Sequence, residues 1–196
     1  MKTLIDKCVL YYGQQPDFNE AEILSYVQNL SDWRGGTKAD GSEINRKQKW
    51  HNVHGDYFTN TWRKRPPRWN SCEWDPFLES FMRKVQEWVN RQDVIPPINI
   101  NSVLINYYRD ENDYIKRHRD DVSSFGATPT ILNMSFGDTR DIVFTNSRGA
   151  QITQTLESGS VLVMMGDSQV DWIHEIPRGT KPKNARWSFT WREKIG

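Results

Sequence analysis

Apolar positions along the chain follow two different rhythms. Over residues 17–30 they fall at three- and four-residue spacing, as Phe18, Ala21, Leu24, Val27 and Leu30, which predicts an amphipathic helix capped by Asp17 or Asn19. A second helix is predicted from Asp75, where an acidic cap precedes Pro76 in the first turn. It runs to about Arg91 and places Leu78, Phe81, Met82, Val85, Trp88 and Val89 on one broad stripe. Pro96 and Pro97 close this half. Between the helices, residues 35–70 carry Gly, Asn and Pro punctuation without helical period, and read as loops and short hairpin strands.

From Ile98 the rhythm shortens. β-like runs at 98–108, 131–136, 141–146, 150–157, 160–166 and 186–192 are separated by turn signals such as Gly137-Asp138, Ser158-Gly159 and Gly166-Asp167. So many short strands in such a length predict an antiparallel sandwich or barrel. The fold class is therefore α+β. A chain of 196 residues suits one domain, with helices and a basic loop region over 1–97 and a β-core over 98–196.

Composition narrows this little. With 36% hydrophobic and 26% charged residues the chain is not mainly disordered, and no run approaches the roughly 20 apolar residues of a membrane span. The opening segment carries Asp6 and lacks a continuous apolar core, so no secretory signal is expected. Cys8 and Cys72 are too few for a disulfide framework and fit a reducing, intracellular compartment, cytoplasm or nucleus. A monomer is expected.

The net charge of +1 says nothing about partners, but its distribution does. Residues 44–68 hold seven basic side chains (Arg46, Lys47, Lys49, Arg63, Lys64, Arg65, Arg68) against one acid, Asp56. Trp50, Tyr57, Phe58 and Trp62 are interleaved, with Trp69 just beyond. Cations neutralise phosphates and aromatic faces stack on bases, so the mixture suits single-stranded or flipped-out nucleotides. It equally suits a solvated basic loop whose aromatics belong to a core.

Two sets of residues carry possible chemistry. His118 and Asp120 stand two apart, which on an extended strand directs both to one face, and His174 follows a strongly β-like run. Two imidazoles and a carboxylate form the facial triad that holds non-haem Fe(II) while leaving positions open. The second set is the strand 186–192, where Arg186, Ser188, Thr190 and Arg192 alternate with Trp187, Phe189 and Trp191. Its polar face suits an anion pocket, because arginine forks bind carboxylates bidentately. Asn106 and Tyr108 share one face of an earlier strand and offer further donors to the same carboxylate.

The ordered set Asn106-x-Tyr108, His118-Arg-Asp120-Asp121, His174 and Arg186-x5-Arg192 resembles the AlkB family of Fe(II)- and 2-oxoglutarate-dependent dioxygenases, most nearly the AlkB-type DNA repair dealkylases. The likeness is close over residues 98–193 and loose over 44–62. It implies a double-stranded β-helix (jelly roll) core, N-terminal buttressing helices and a nucleotide-recognition lid. It implies that His118, Asp120 and His174 hold Fe(II), and that O2 and 2-oxoglutarate are cosubstrates. Arg186, Asn106 and Tyr108 would meet the distal carboxylate, Ser188 and Thr190 would line the slot, and Arg192 would contact the cosubstrate near the metal. The implied reaction removes N-methyl groups from bases of the 1-methyladenine and 3-methylcytosine type in DNA or RNA, releasing formaldehyde, succinate and CO2.

The same likeness implies substrate contacts. Asp121 would accept from the exocyclic amine of a cationic methylated base. Arg46, Gln48 and Trp50 would clamp the strand and stack on the base, Tyr57 would stack as well, and Arg148 would touch the strand from the loop after residues 141–146. The polar segment 35–43 offers no apolar wedge, so single-stranded or weakly paired substrates are expected. Two other readings stand beside this one: a dioxygenase of the same chemistry acting on a protein or small molecule, and a non-enzymatic nucleic-acid-binding module.

Overall fold

A computed structural model describes residues 1–35, 44–53, 55 and 70–195. Its strands, in chain order, are β1 (Lys2–Ile5), β2 (Val9–Gln14), β3 (Lys47–Asn52), β4 (Ser102–Tyr108), β5 (Ile115–His118), β6 (Ile131–Gly137), β7 (Arg140–Asn146), β8 (Gln151–Leu156), β9 (Ser160–Met164), β10 (Trp172–Ile176) and β11 (Arg186–Arg192). The helices are α1 (Glu20–Asn29), α2 (Pro76–Asn90) and the short α3 (Val122–Phe125), with a 3-10 turn over Gly166–Gln169.

Two antiparallel sheets face one another. The large one has the order β1-β2-β9-β6-β11-β4-β3 and the small one β5-β10-β7-β8. This is the jelly-roll arrangement, with α1 and α2 laid over the outer face of the large sheet.

Both helices begin as their sequences predict. The Asn19 side chain accepts from the backbone N–H of Glu22, and the Asp75 side chain accepts from that of Leu78. Ile23 and Val27 of α1, with Leu78, Phe81, Val85 and Trp88 of α2, join the outward-facing side chains of the large sheet in one core. Phe81 is central, meeting Phe189 and Trp191 edge-on at 5.2 and 5.4 Å between ring centroids. The strict alternation of β11 is thereby realised: its three aromatics bury against the helices and its four polar residues face the small sheet.

The first 97 residues contribute more β-structure than their pattern suggests. β1, β2 and β3 supply three strands of the large sheet, and β2 inserts beside β9. In β2, Val9 to Tyr12 are all buried because both faces of this sheet are covered, so no alternation marks the strand. β3 arises in the segment expected to form loops and short hairpins, but it pairs with β4, far along the chain. Gly137 passes the chain from the large sheet to the small one at φ +93°, where a Cβ would lie 2.5 Å from the carbonyl oxygen of Ala185.

Candidate active site

A pocket of about 720 Å³ opens between the sheets. Its walls alternate in register. Arg186 lies opposite Tyr108, Ser188 between Asn106 and Ser135, and Thr190 between Leu104 and Asn133. The small sheet contributes His118 from β5, Ile142 from β7 and His174 from β10, and the pocket also touches Arg46, Tyr114, Asp120 and Asp121.

His118, Asp120 and His174 each direct a potential ligand atom into one space, all within 4.8 Å of one another. The two histidines are direct cross-strand partners on β5 and β10, with ring centroids 4.3 Å apart. Asp120 joins them differently from the expected strand alternation. β5 ends at His118, and Asp120 sits in the irregular step before α3, its Oδ1 3.9 Å from His118 Nε2. The backbone carbonyl of Lys116 lies 2.8 Å from His118 Nδ1, which assigns the proton to that nitrogen and leaves Nε2 as a lone pair.

Electrostatics favour the ligand forms. Burial lowers the His174 imidazole to about 3, with the neighbouring His118 ring adding to the effect. Burial also lowers His118, outweighing the attraction of Asp120. For Asp120 burial acts in the opposite sense, yet Arg192 and the two imidazoles overcome it and hold the carboxyl below its usual range. Two neutral imidazoles and one carboxylate are the donor set for a divalent iron.

The far end of the pocket suits an anion. Arg186 is 1% exposed and donates from Nη2 to Ser135 Oγ at 2.7 Å, while its Nε and Nη1 have no protein partner among the described residues. Burial lowers this guanidinium to about 10, with the nearby Arg140 charge adding to that. A buried cation that lies over the Tyr108 ring at 5.1 Å and keeps Nε and Nη1 without a hydrogen-bond partner among the described residues fits a dicarboxylate's distal end. Nearby, Asn106 Oδ1 accepts from Arg46 Nε at 2.8 Å, and Thr190 Oγ1 accepts from Asn133 Nδ2 at 3.0 Å.

The sequence pattern of the 2OG-Fe(II) oxygenase superfamily matches residues 7–192, nearly the whole chain. The protein belongs to the 2OG-Fe(II) oxygenase superfamily. It is 32% identical over 146 residues to the DNA oxidative demethylase ALKBH2 of Arabidopsis thaliana. It is 30% identical over 129 residues to the alpha-ketoglutarate-dependent dioxygenase alkB homolog 3 of Mus musculus. The two matches cover 62% and 61% of this chain but 45% and 43% of those proteins, so the chain spans less than half the length of these curated relatives. The structure of OsALKBH1 superposes with a TM-score of 0.68 at 18% identity, over 97% of this chain and 100% of the other, a likeness that speaks to the fold.

Membership of this superfamily implies Fe(II) as cofactor and 2-oxoglutarate and O2 as cosubstrates. Its pocket brings together His118, Asp120, His174, Asn106, Tyr108, Arg186, Ser188, Thr190 and Arg192. Arg192, expected against the cosubstrate, commits Nε and Nη2 to Asp120 Oδ2 at 3.2 and 3.0 Å.

The expected substrate contacts of this oxygenase separate into three groups. Arg46 and Asp121 do line the pocket. Asp121 also caps α3, accepting from the Ser123 backbone N–H at 3.3 Å and from the Ser124 hydroxyl at 2.6 Å. Gln48 and Trp50 do not fit the roles expected of them. Pairing of β3 with β4 sets them opposite Asn106 and Leu104, where Gln48 is 1% and Trp50 0% exposed. Trp50 packs with Leu104 and Phe125 and presents no face to a base. Arg148 is exposed at the tip of the β7–β8 hairpin, away from the pocket wall. Tyr57, the basic run 63–68 and nearly all of 35–43 lie outside the described residues.

Sequence reasoning missed Asn133, Ser135 and Gln169. The first two were signalled by the alternation of β6, whose Leu132, Met134 and Phe136 face the helices and leave Asn133 and Ser135 on the pocket side. Gln169 lies in a turn, where no period marks it.

Proposed function

We propose that this oxygenase removes N-methyl groups from bases of the 1-methyladenine and 3-methylcytosine type in DNA or RNA. The observation that carries the reading is one pocket with the His118–Asp120–His174 donors at one end and the unmet N–H groups of Arg186 further along, in a chain similar to proteins named as DNA oxidative demethylases. Fe(II) and 2-oxoglutarate, when bound, supply the oxidation: O2 hydroxylates the methyl carbon as the keto acid becomes succinate and CO2, and the product sheds formaldehyde.

The chain's own residues do the rest. Arg186 would hold the distal carboxylate, and Asn106, whose Oδ1 accepts from Arg46 Nε, would have its Nδ2 hydrogens to donate to the cosubstrate. Arg192 keeps Asp120 ionised and aimed. Asp121 accepts a hydrogen bond from the exocyclic amine and offsets the positive charge of the methylated ring. Arg46, Lys116, Arg117 and Arg119 at the pocket wall present positive charge to phosphates. The same reading takes the chain as one domain and a monomer, in a reducing compartment consistent with its free Cys8 and Cys72. No helix among the described residues is long and apolar enough to cross a membrane.

A panel of methylated DNA and RNA oligonucleotides, single- and double-stranded, tests the proposal at fixed salt. Formaldehyde and the unmodified base are expected from at least one member, in step with succinate. Succinate formed equally with and without every oligonucleotide would point instead to a protein or small-molecule substrate.

A further inference from the structure

Asp120 is the one member of the triad that no sheet holds. β5 ends at His118 and α3 begins at Val122, so neither a β-ladder nor a helix fixes the backbone between them. That backbone is nevertheless anchored. The Asp120 N–H donates to Gln169 Oε1 at 2.9 Å, with Asp120 7% and Gln169 2% exposed.

Gln169 ends the 3-10 turn between β9 and β10, and that turn is itself clamped. The Met165 N–H donates to the Cys8 carbonyl at 2.8 Å, and Gly166, at φ +52°, lets the chain lie where a Cβ would come 3.0 Å from the Lys7 carbonyl oxygen. The orientation of the Gln169 amide follows from its neighbours. Turning it over would set two N–H groups against each other at Asp120, whereas Nε2 now faces Met164 Sδ at 3.6 Å and Ser168 Oγ at 3.4 Å. Both are long contacts, so the bond that Gln169 makes well is the one to Asp120.

We infer that Gln169 is a positioning residue of the iron site, pinning the carboxylate ligand to the large sheet while both imidazoles ride on the small one. The inference rests on the reading of His118, Asp120 and His174 as metal ligands. Arg192 on β11 holds the Asp120 side chain through Oδ2, and Gln169 holds its backbone from the turn after β9. Together they leave Oδ1 facing His118 Nε2. Without Gln169 the Asp120 backbone loses its one direct bond to that turn, leaving the Arg119 side chain on the Val170 carbonyl at 2.9 Å and Arg192 on the carboxylate, and the register of the carboxylate with the histidines loosens.

Two variants and two readouts test this. Gln169→Met keeps length and apolar volume but removes the acceptor, while Ser168→Ala alters the same buried turn and keeps it. In Mn(II) titrations of metal-free protein, Gln169→Met is expected to weaken binding about 10- to 100-fold and Ser168→Ala to leave it unchanged. Hydrogen exchange of the Asp120 amide, read without metal, is expected to be slow in the wild type and fast in Gln169→Met. A folded Gln169→Met protein with wild-type Mn(II) affinity overturns the inference, and so does an Asp120 amide exchanging at the solvent rate in the wild type. If the wild type binds no Mn(II), the metal-ligand reading fails instead, and Asp120 exchange alone then decides whether Gln169 holds this backbone.

Discussion

Arg192 gives two N–H groups, at 3.2 and 3.0 Å, to a single oxygen of Asp120, and both side chains are buried. A charge pair removed from water is costly to break, because the surviving partner stays desolvated. This pair joins β11 to the segment carrying one metal ligand, so its loss reaches stability and metal binding together.

Arg192→Met therefore destabilises the metal-free protein by about 3–5 kcal/mol, measured by urea unfolding. It also moves metal binding along the pH axis. Arg192 and the two imidazoles hold the Asp120 carboxyl below its ordinary range against burial, which alone would raise it. In the variant, Mn(II) binding is lost at a higher pH than in the wild type. Coincident pH profiles for the two proteins would contradict this.

Arg186 acts at the other end of the pocket. Arg186→Gln is expected to raise the apparent KM for 2-oxoglutarate by roughly 10- to 100-fold, the loss of a charge-assisted bidentate contact. Mn(II) affinity stays at the wild-type value, because no bond joins Arg186 to the triad. Ser135→Ala, which removes only the neutral hydroxyl that Arg186 donates to, produces a smaller rise.

Trp50 separates packing from base stacking. Trp50→Ala costs about 3–5 kcal/mol of stability, as expected for a fully buried indole, and is read as a fall in the urea midpoint. Below its melting temperature the variant keeps the wild-type KM for methylated oligonucleotide. A raised KM with unchanged stability would return Trp50 to the substrate.

His51 gives the fold a pH limit. Burial lowers its imidazole to about 4, with the Glu73 carbonyl 2.8 Å from Nδ1. The neutral form belongs to the folded state, so this stability is complete above the unfolded value near 6.5 and is lost as pH falls towards 4. The full amount is about 3 kcal/mol. His174, lowered to about 3, adds in the same direction in metal-free protein. His51→Gln should flatten the stability curve of metal-free protein between pH 6.5 and 4 by about one proton's worth.

The parts of this enzyme legible in the sequence are those where one strand carries its own contrast. β11 sets three aromatics against four polar groups, and α2 lays a wide apolar stripe behind an Asp-Pro start, so both declare their faces. His118, Asp120 and His174 stand out because histidines are few. What stayed hidden depends on pairing between distant segments. Trp50 sits among lysines and looks like a stacking residue, and only the β3–β4 ladder, joining residues some fifty positions apart, turns it inward. β5, with two exposed cations in its four residues, carries no apolar signal because it lies at the edge of the small sheet. Arg192 and Asp120 are both visible in the sequence, but their partnership is a product of the fold.

The most direct test of the account is a crystal structure grown without oxygen, with Mn(II) in place of iron and 2-oxoglutarate present. A single metal ion bound by His118, Asp120 and His174, with the distal carboxylate of 2-oxoglutarate on Arg186, is the predicted result. An ion held elsewhere, or a keto acid lying away from Arg186, would contradict it.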